Sequence, residues 1–361
     1  MRFSILLISL LTVGSLSAQA GTPKQADGIR RAYEADYKTW VLKLQIAQGS
    51  EERRKVAAER PDAGQAAMRM WRAIQPNLAE PWSIEPAAWI LMTGKGQVRQ
   101  DESGKIVPLL GNAPERIRAA LAEHHLKSKN LATMCMALVA EGNANSLPLL
   151  EKIEKENPDR KVQGVAALGI AMMLKDLSDE PEVMRRRLTL LRKAIIESSD
   201  VEINNVSVAK LADEELHIIR YLSKGRVAPD LIGTGSGDQS MKLSDYAGKV
   251  VVLLFWRSDE GDTDQLIELV NGMRHRFSGK AFEVVGVNSD PTEDLRELQA
   301  SGRISWPNFS DPTGKLTSEY RVGSWPLVYV LDTERKIGYA GPMGSFVELT
   351  ASALMQKKEA R

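Results

Sequence analysis

Lys249-Val-Val-Val-Leu-Leu-Phe-Trp-Arg-Ser-Asp-Glu-Gly-Asp-Thr263 is the stretch that decides how this chain folds. Val250 to Phe255 is an unbroken β-branched and apolar run, the mark of a strand buried on both faces. A turn follows, and the apolar spacing from Leu266 to Phe277 predicts a helix. Four acids, Asp259, Glu260, Asp262 and Asp264, crowd the start of that helix. The free N–H groups and positive dipole end of a helix favour acids there, and Asp262 or Thr263 suits its N-cap. The ligand spacing of a calcium loop is absent. No His or Lys stands near Glu260 in sequence to make it one half of an acid–base pair.

Outward from this stretch, strands and helices alternate. Phe282 to Val287 reads as a second buried strand, Thr292 to Ala300 as a helix, and Leu327 to Leu331 as a third strand. Ile337 to Tyr339 is a short fourth strand, and Phe346 to Gln356 a closing helix. This order predicts a central sheet with helices on both faces. Asp332 to Lys336 is a hairpin-length link, so the last two strands run antiparallel and the sheet is mixed.

Four motifs in order carry a resemblance. They are Val227-Ala-Pro-Asp-Leu231, the run from Lys242 to Trp256, Val285-Gly-Val-Asn-Ser-Asp290, and Tyr320-Arg-Val-Gly-Ser-Trp-Pro-Leu-Val-Tyr-Val-Leu-Asp332. Together they resemble the redoxin family of AhpC/TSA and TlpA-like proteins, over residues 225–356. The resemblance implies a thioredoxin-like α/β domain, with Pro326 at the family's cis-proline. It also implies that Glu260 and Thr263 hold the positions of the catalytic Cys-x-x-Cys pair. That chemistry needs a thiolate at a helix N-terminus, which neither residue can supply. The Thr-x-x-Cys of the peroxidase branch is missing as well. The resemblance therefore implies a degenerate, redox-inactive site with no catalytic residue. In the family, backbone beside the cis-proline receives an extended peptide by strand-like pairing, a mode that needs no cysteine. The corresponding groove residues here are Trp256, Asp259, Glu260, Ser324, Trp325 and Pro326.

Before residue 225 the texture differs. Residues 1–20 have the make-up of a secretory signal peptide: Arg2, an apolar stretch over 3–16 too short to span a bilayer, and Ser17-Ala18-Gln19-Ala20 as a cleavage site. Residues 21–113 read as irregularly helical, with helices near 26–48 and 51–74, the latter broken at Pro61, and an exposed loop or hairpin around Lys105 to Leu109. Trp71, Trp82 and Trp89 cluster there, as core anchors or as a carbohydrate or ligand platform. Residues 114–224 carry successive apolar stripes near 115–127, 130–141, 145–156, 160–176, 180–198 and 207–223. These predict an antiparallel helical array or a plain bundle. Asp159 suits an N-cap. The whole resembles the helical part that precedes the redoxin domain in a group of secreted bacterial proteins. The Gly-rich segment 225–240 marks the boundary. Its Gly233, Gly235 and Gly237 precede a strand instead of following one, which is the wrong order for a phosphate loop. The domains expected are a signal peptide (1–20), an irregular helical region (21–113), a helical array (114–224) and a thioredoxin-like redoxin domain (225–361).

Composition narrows the function. The 361 residues are 43% hydrophobic and 26% charged, an ordinary globular profile. Without Arg2, the 48 Lys and Arg come level with the 47 Asp and Glu, so no global charge favours nucleic acid or anionic lipid. Beyond the signal no run of eighteen apolar residues occurs, so no membrane span is expected. His124, His125 and His217 lack the company of metal-ligand spacing, and neither metal nor cofactor is expected. One cysteine, Cys135, sits in an apolar helical stretch, either buried or kept as a reactive thiol. The expected function is a periplasmic or secreted module that binds an extracytoplasmic protein or peptide. The alternative is a thiol-disulfide or peroxide oxidoreductase working through Cys135 or a partner thiol. A third reading is a scaffold whose groove the helices cover.

Overall fold

The computed structural model describes residues 21–175 and 180–359; the expected signal peptide lies outside them. The helical part comprises α1 (Pro23–Ile46), α2 (Gly49–Ala58), α3 (Ala63–Ile74), α4 (Ile84–Thr93), a hairpin β1 (Val98–Gln100) and β2 (Ile106–Pro108), α5 (Ala113–Ala120), α6 (Ala132–Glu141), α7 (Leu147–Glu156), α8 (Arg160–Leu174) and α9 (Pro181–Ser198). A two-residue ladder, β3 (Glu202–Ile203) and β4 (Val206–Ser207), leads into α10 (Val208–His217). Local chemistry sets these boundaries. Thr22 caps α1 through Gln25 N–H with Pro23 following, Asp62 caps α3 through Gln65 N–H, and Asp159 caps α8. Gly142, left-handed at φ 73°, ends α6.

The larger packed helix pairs from α4 onward lie one or two apart in sequence: α4 with α6, α6 with α8, α8 with α7 and α9, and α9 with α10. That is the contact pattern of stacked helical layers. α8 lies at the centre and buries Val165, Leu168 and Ile170 against Leu138, Leu150 and Leu191.

The C-terminal part runs β5 (Ile232–Thr234), β6 (Ser240–Lys242), β7 (Val250–Trp256), α11 (Thr263–Arg276), β8 (Phe282–Asn288), α12 (Thr292–Ala300), β9 (Asn308–Ser310), α13 (Lys315–Glu319), β10 (Leu327–Leu331), β11 (Ile337–Gly341) and α14 (Ser345–Glu359). Five of these strands form a mixed sheet in the order β11-β10-β7-β8-β9. β7, β8 and β9 are parallel, while β10 is antiparallel to both β7 and β11. All seven residues of β7 are buried, as a central strand requires.

Helices cover both faces of the sheet, as the alternating order predicts, but unequally. Val252, Leu254, Val284 and Val330 pack under α11, α12 and α14. Leu253, Phe255, Val285 and Tyr329 pack instead against the five-residue α13, the β5–β6 hairpin and Leu222 at the end of the helical part. The Gly-rich boundary thus forms a hairpin that serves as cover. Three helices share one face, and a short helix with a hairpin closes the other.

Candidate functional site

The turn after β7 is held at almost every residue. Both carboxylate oxygens of Asp290, 1% exposed, stand 3.1 Å from the Ser258 N–H, and Asn288 donates to the same carboxylate at 2.8 Å. The Thr263 hydroxyl donates to the Ser258 carbonyl at 3.1 Å. Asp262 accepts from Gln265 N–H at 3.0 Å and caps α11. Gly261 sits at φ 76°, where a Cβ would be strained. Asp259, with a side chain only 4% exposed, takes the Arg257 guanidinium in a two-pronged ion pair whose Nη2–Oδ2 arm is 2.6 Å. The four acids therefore have separate roles: Asp262 is a cap, Asp259 an ion-pair partner, Asp264 a partner for Arg303 and Glu260 a partner for Arg60.

Arg60 belongs to the helical part. Its Nη1 is 3.8 Å from the Glu260 carboxylate, and its guanidinium lies 5.3 Å from the Trp40 ring and 5.8 Å from the Tyr37 ring. From the same side, Arg53 of α2 reaches Asp294 of α12 at 3.2 Å, with side chains 11% and 4% exposed. Burial raises the Asp294 carboxyl above its ordinary value, and the Arg53 charge works against that rise. Between these contacts lies a cavity of about 480 Å³, lined by Ser258, Gly261 and Thr263 on one side and by Arg54 of α2 on the other. The acidic turn thus faces α2 of the same chain. Nothing local announces this, because Glu51-Glu-Arg-Arg-Lys55 read alone is an ordinary solvated charge run.

Ser324, Trp325 and Pro326 lie on the other flank of the turn. The Trp325–Pro326 bond is cis. Ser324 is exposed and Trp325 half-buried, with its ring centre 5.9 Å from the Arg257 guanidinium. Among the described residues, the backbone of Gly323, Ser324 and Trp325 makes no hydrogen bond to other backbone. Trp256 does not join this group. It is 1% exposed, donates from Nε1 to Asn308 Oδ1 at 3.0 Å and packs beside Trp306. The strand's alternation puts it on the face shared by Val252 and Leu254, so it adds no groove surface.

Cys135 is 0% exposed within the helical core, and burial pushes its thiol up to about 12. Trp325 packs against a different core, on the sheet's irregular face. His125 is buried, with Nε2 2.7 Å from the Leu78 carbonyl. Among the described residues no group of three His, Cys, Asp or Glu could hold a metal, and no helix is long and apolar enough to cross a membrane.

Residues 224–340 match the model of the AhpC/TSA family. A thiol-disulfide oxidoreductase ResA of Bacillus cereus is 24% identical over 114 residues, covering 31% of this chain and 66% of that protein. A putative chloroplastic peroxiredoxin Q of Oryza sativa subsp. indica is 27% identical over 127 residues, covering 33% of this chain and 58% of that protein. This chain thus spans just under two thirds of the ResA protein. Among solved structures, a putative thiol:disulfide interchange protein DsbE from Chlorobium tepidum is 31% identical, with a TM-score of 0.33, over 38% of this chain and 96% of that one.

Proposed function

With residues 224–340 forming a thioredoxin-fold domain of the AhpC/TSA family, we propose that the chain works outside the cytoplasm as a redox-inactive module that binds a protein or peptide. Residues 1–20 act as its signal peptide, and residues 225–361 form the binding domain behind a helical region. The observation that carries this reading is the position of the lone thiol. Disulfide exchange needs an accessible sulfur of low pKa at a helix N-terminus, and here the turn offers Glu260 and Thr263 while Cys135 is sealed in the helical core. What remains usable is backbone. Ser324 and Trp325 offer unpaired N–H and C=O groups beside a half-buried indole, which suits strand-like pairing with an extended peptide. α2 takes the acidic flank, so a partner engages the Ser324–Pro326 flank.

Insulin-disulfide reduction and peroxide consumption test the first half of this reading. The wild type is expected to show no thiol-dependent turnover in either assay; turnover that Cys135→Ser abolishes would overturn it. Capture from a periplasmic fraction tests the second half. Trp325→Ala is expected to lose a partner that the wild type retains, and equal capture by both would refute the groove.

A further inference from the structure

The helical part holds a second cavity, about 310 Å³, between α1, α3 and α4. Its apolar walls are Met70, Trp82 and Trp89. Trp89 is fixed edge-on by Tyr33, with ring centres 5.7 Å apart. Glu85 and Trp89 are four residues apart on α4 and share a face, while Trp82 comes one turn earlier. Three carboxylates line the space, Asp27, Glu34 and Glu85, against one guanidinium, Arg30. Arg30 is already engaged, 2.9 Å from Asp27 and 3.7 Å from Glu34. Asp27 is drawn further by Arg31. Glu85 has no ion pair among the described residues. Glu85 is an exposed residue at the mouth of the cavity; partial desolvation raises its carboxyl above the ordinary value, and a hydrogen bond from Thr133 and the charge of Arg30 work against that rise.

We infer that this cavity binds an organic cation, an ammonium or guanidinium group on an apolar body, held between Trp82 and Trp89 and neutralised by Glu85. Indole faces attract cations through their quadrupole. An apolar pocket with a few placed polar groups is the usual form of a small-ligand site. The surplus of carboxylates opposes an anion. Such a cation reaches the protein either as a free amine or as a lysine side chain on a peptide. The inference rests on the helical part alone and stands whether or not the redoxin turn is redox-inactive.

The test is a titration of the full mature chain with choline, its neutral isostere 3,3-dimethylbutan-1-ol, and Nα-acetyl-lysine amide, read by tryptophan fluorescence and calorimetry. At least one cation is expected to bind about tenfold more tightly than the neutral isostere, and Glu85→Gln to weaken that cation about tenfold. Tighter binding of choline marks a free amine as the ligand; tighter binding of the lysine amide marks a peptide side chain. Absence of binding by both cations, equal binding of the isostere, or an affinity unchanged in Glu85→Gln overturns the site. Trp82→Ala, read in the same way, serves if Glu85→Gln does not fold.

Discussion

Cys135 stands where an apolar side chain would serve as well, enclosed by Met134, Leu138 and the α8 residues of the helical core. Its accessibility makes a direct prediction. In the folded protein the thiol is expected to resist iodoacetamide at pH 8 and to react fully in guanidinium, by mass spectrometry; rapid labelling without denaturant would contradict the burial. The sign of its pH effect also follows. The folded value, about 12, stands above the ordinary 9, so this group supports the fold fully below pH 9 and loses that contribution as pH rises toward 12. Tyr320 and Tyr329, also raised by burial, act in the same direction. A thermal-melt series from pH 8 to pH 12 is therefore expected to fall steadily, and Cys135→Ala to flatten part of the fall. Gly286 is another residue whose neighbours leave little latitude. A methyl group there would collide with Asn308 Oδ1, the acceptor of the Trp256 indole. Gly286→Ala is expected to cost about 1–3 kcal/mol by chemical denaturation.

At the scale of elements, what can be read from sequence is what local chemistry dictates. β7 and β8 are plain as continuous apolar runs, and the Asp332–Lys336 hairpin as a short link between two strands. Asp159 and Asp262 are readable as caps because the N-cap role needs only the residue and the helix that follows. Elements that tertiary pairing creates are not. β9 and α13 are three and five residues long and exist because Asn308–Ser310 pairs with β8 and Asp311 accepts from the N–H groups of Leu316 and Thr317. The cover of the sheet's second face escapes notice for the same reason, since the Gly-rich hairpin carries no helical periodicity to announce it. Trp256 misleads because its residue type suggests surface recognition, whereas the period of the strand assigns it to the core. The cap on α11 supplies a modest prediction: Asp262→Ala is expected to lower stability by about 1 kcal/mol, checked by urea denaturation, with Asp262→Ser recovering most of it.

At the scale of the whole molecule, the contacts that matter join α2 to α12, elements so far apart along the chain that no single-sequence pattern can connect them. At that junction Asp294 is buried and Arg53 half-buried. Removing Asp294 leaves the partly enclosed Arg53 charge alone, so Asp294→Ala is expected to cost up to about 3 kcal/mol. Replacing both with apolar side chains, Arg53→Met with Asp294→Leu, removes the charges together and is expected to restore most of that loss. If the double variant is no more stable than Asp294→Ala, the pair is not the determinant of this junction. The exposed pair of Arg60 with Glu260 is expected to be worth under about 1 kcal/mol and to weaken with salt.

The wall that Arg54 adds over Ser258 and Thr263 bears on attempts to convert this protein into a catalyst. Grafting two cysteines into the turn, Glu260→Cys with Thr263→Cys, would set the second on the wall of that cavity and the first beside Arg60. With α2 standing over the pair, the resulting dithiol is expected to exchange faster with small disulfides than with macromolecular ones, and shortening α2 is expected to narrow that difference.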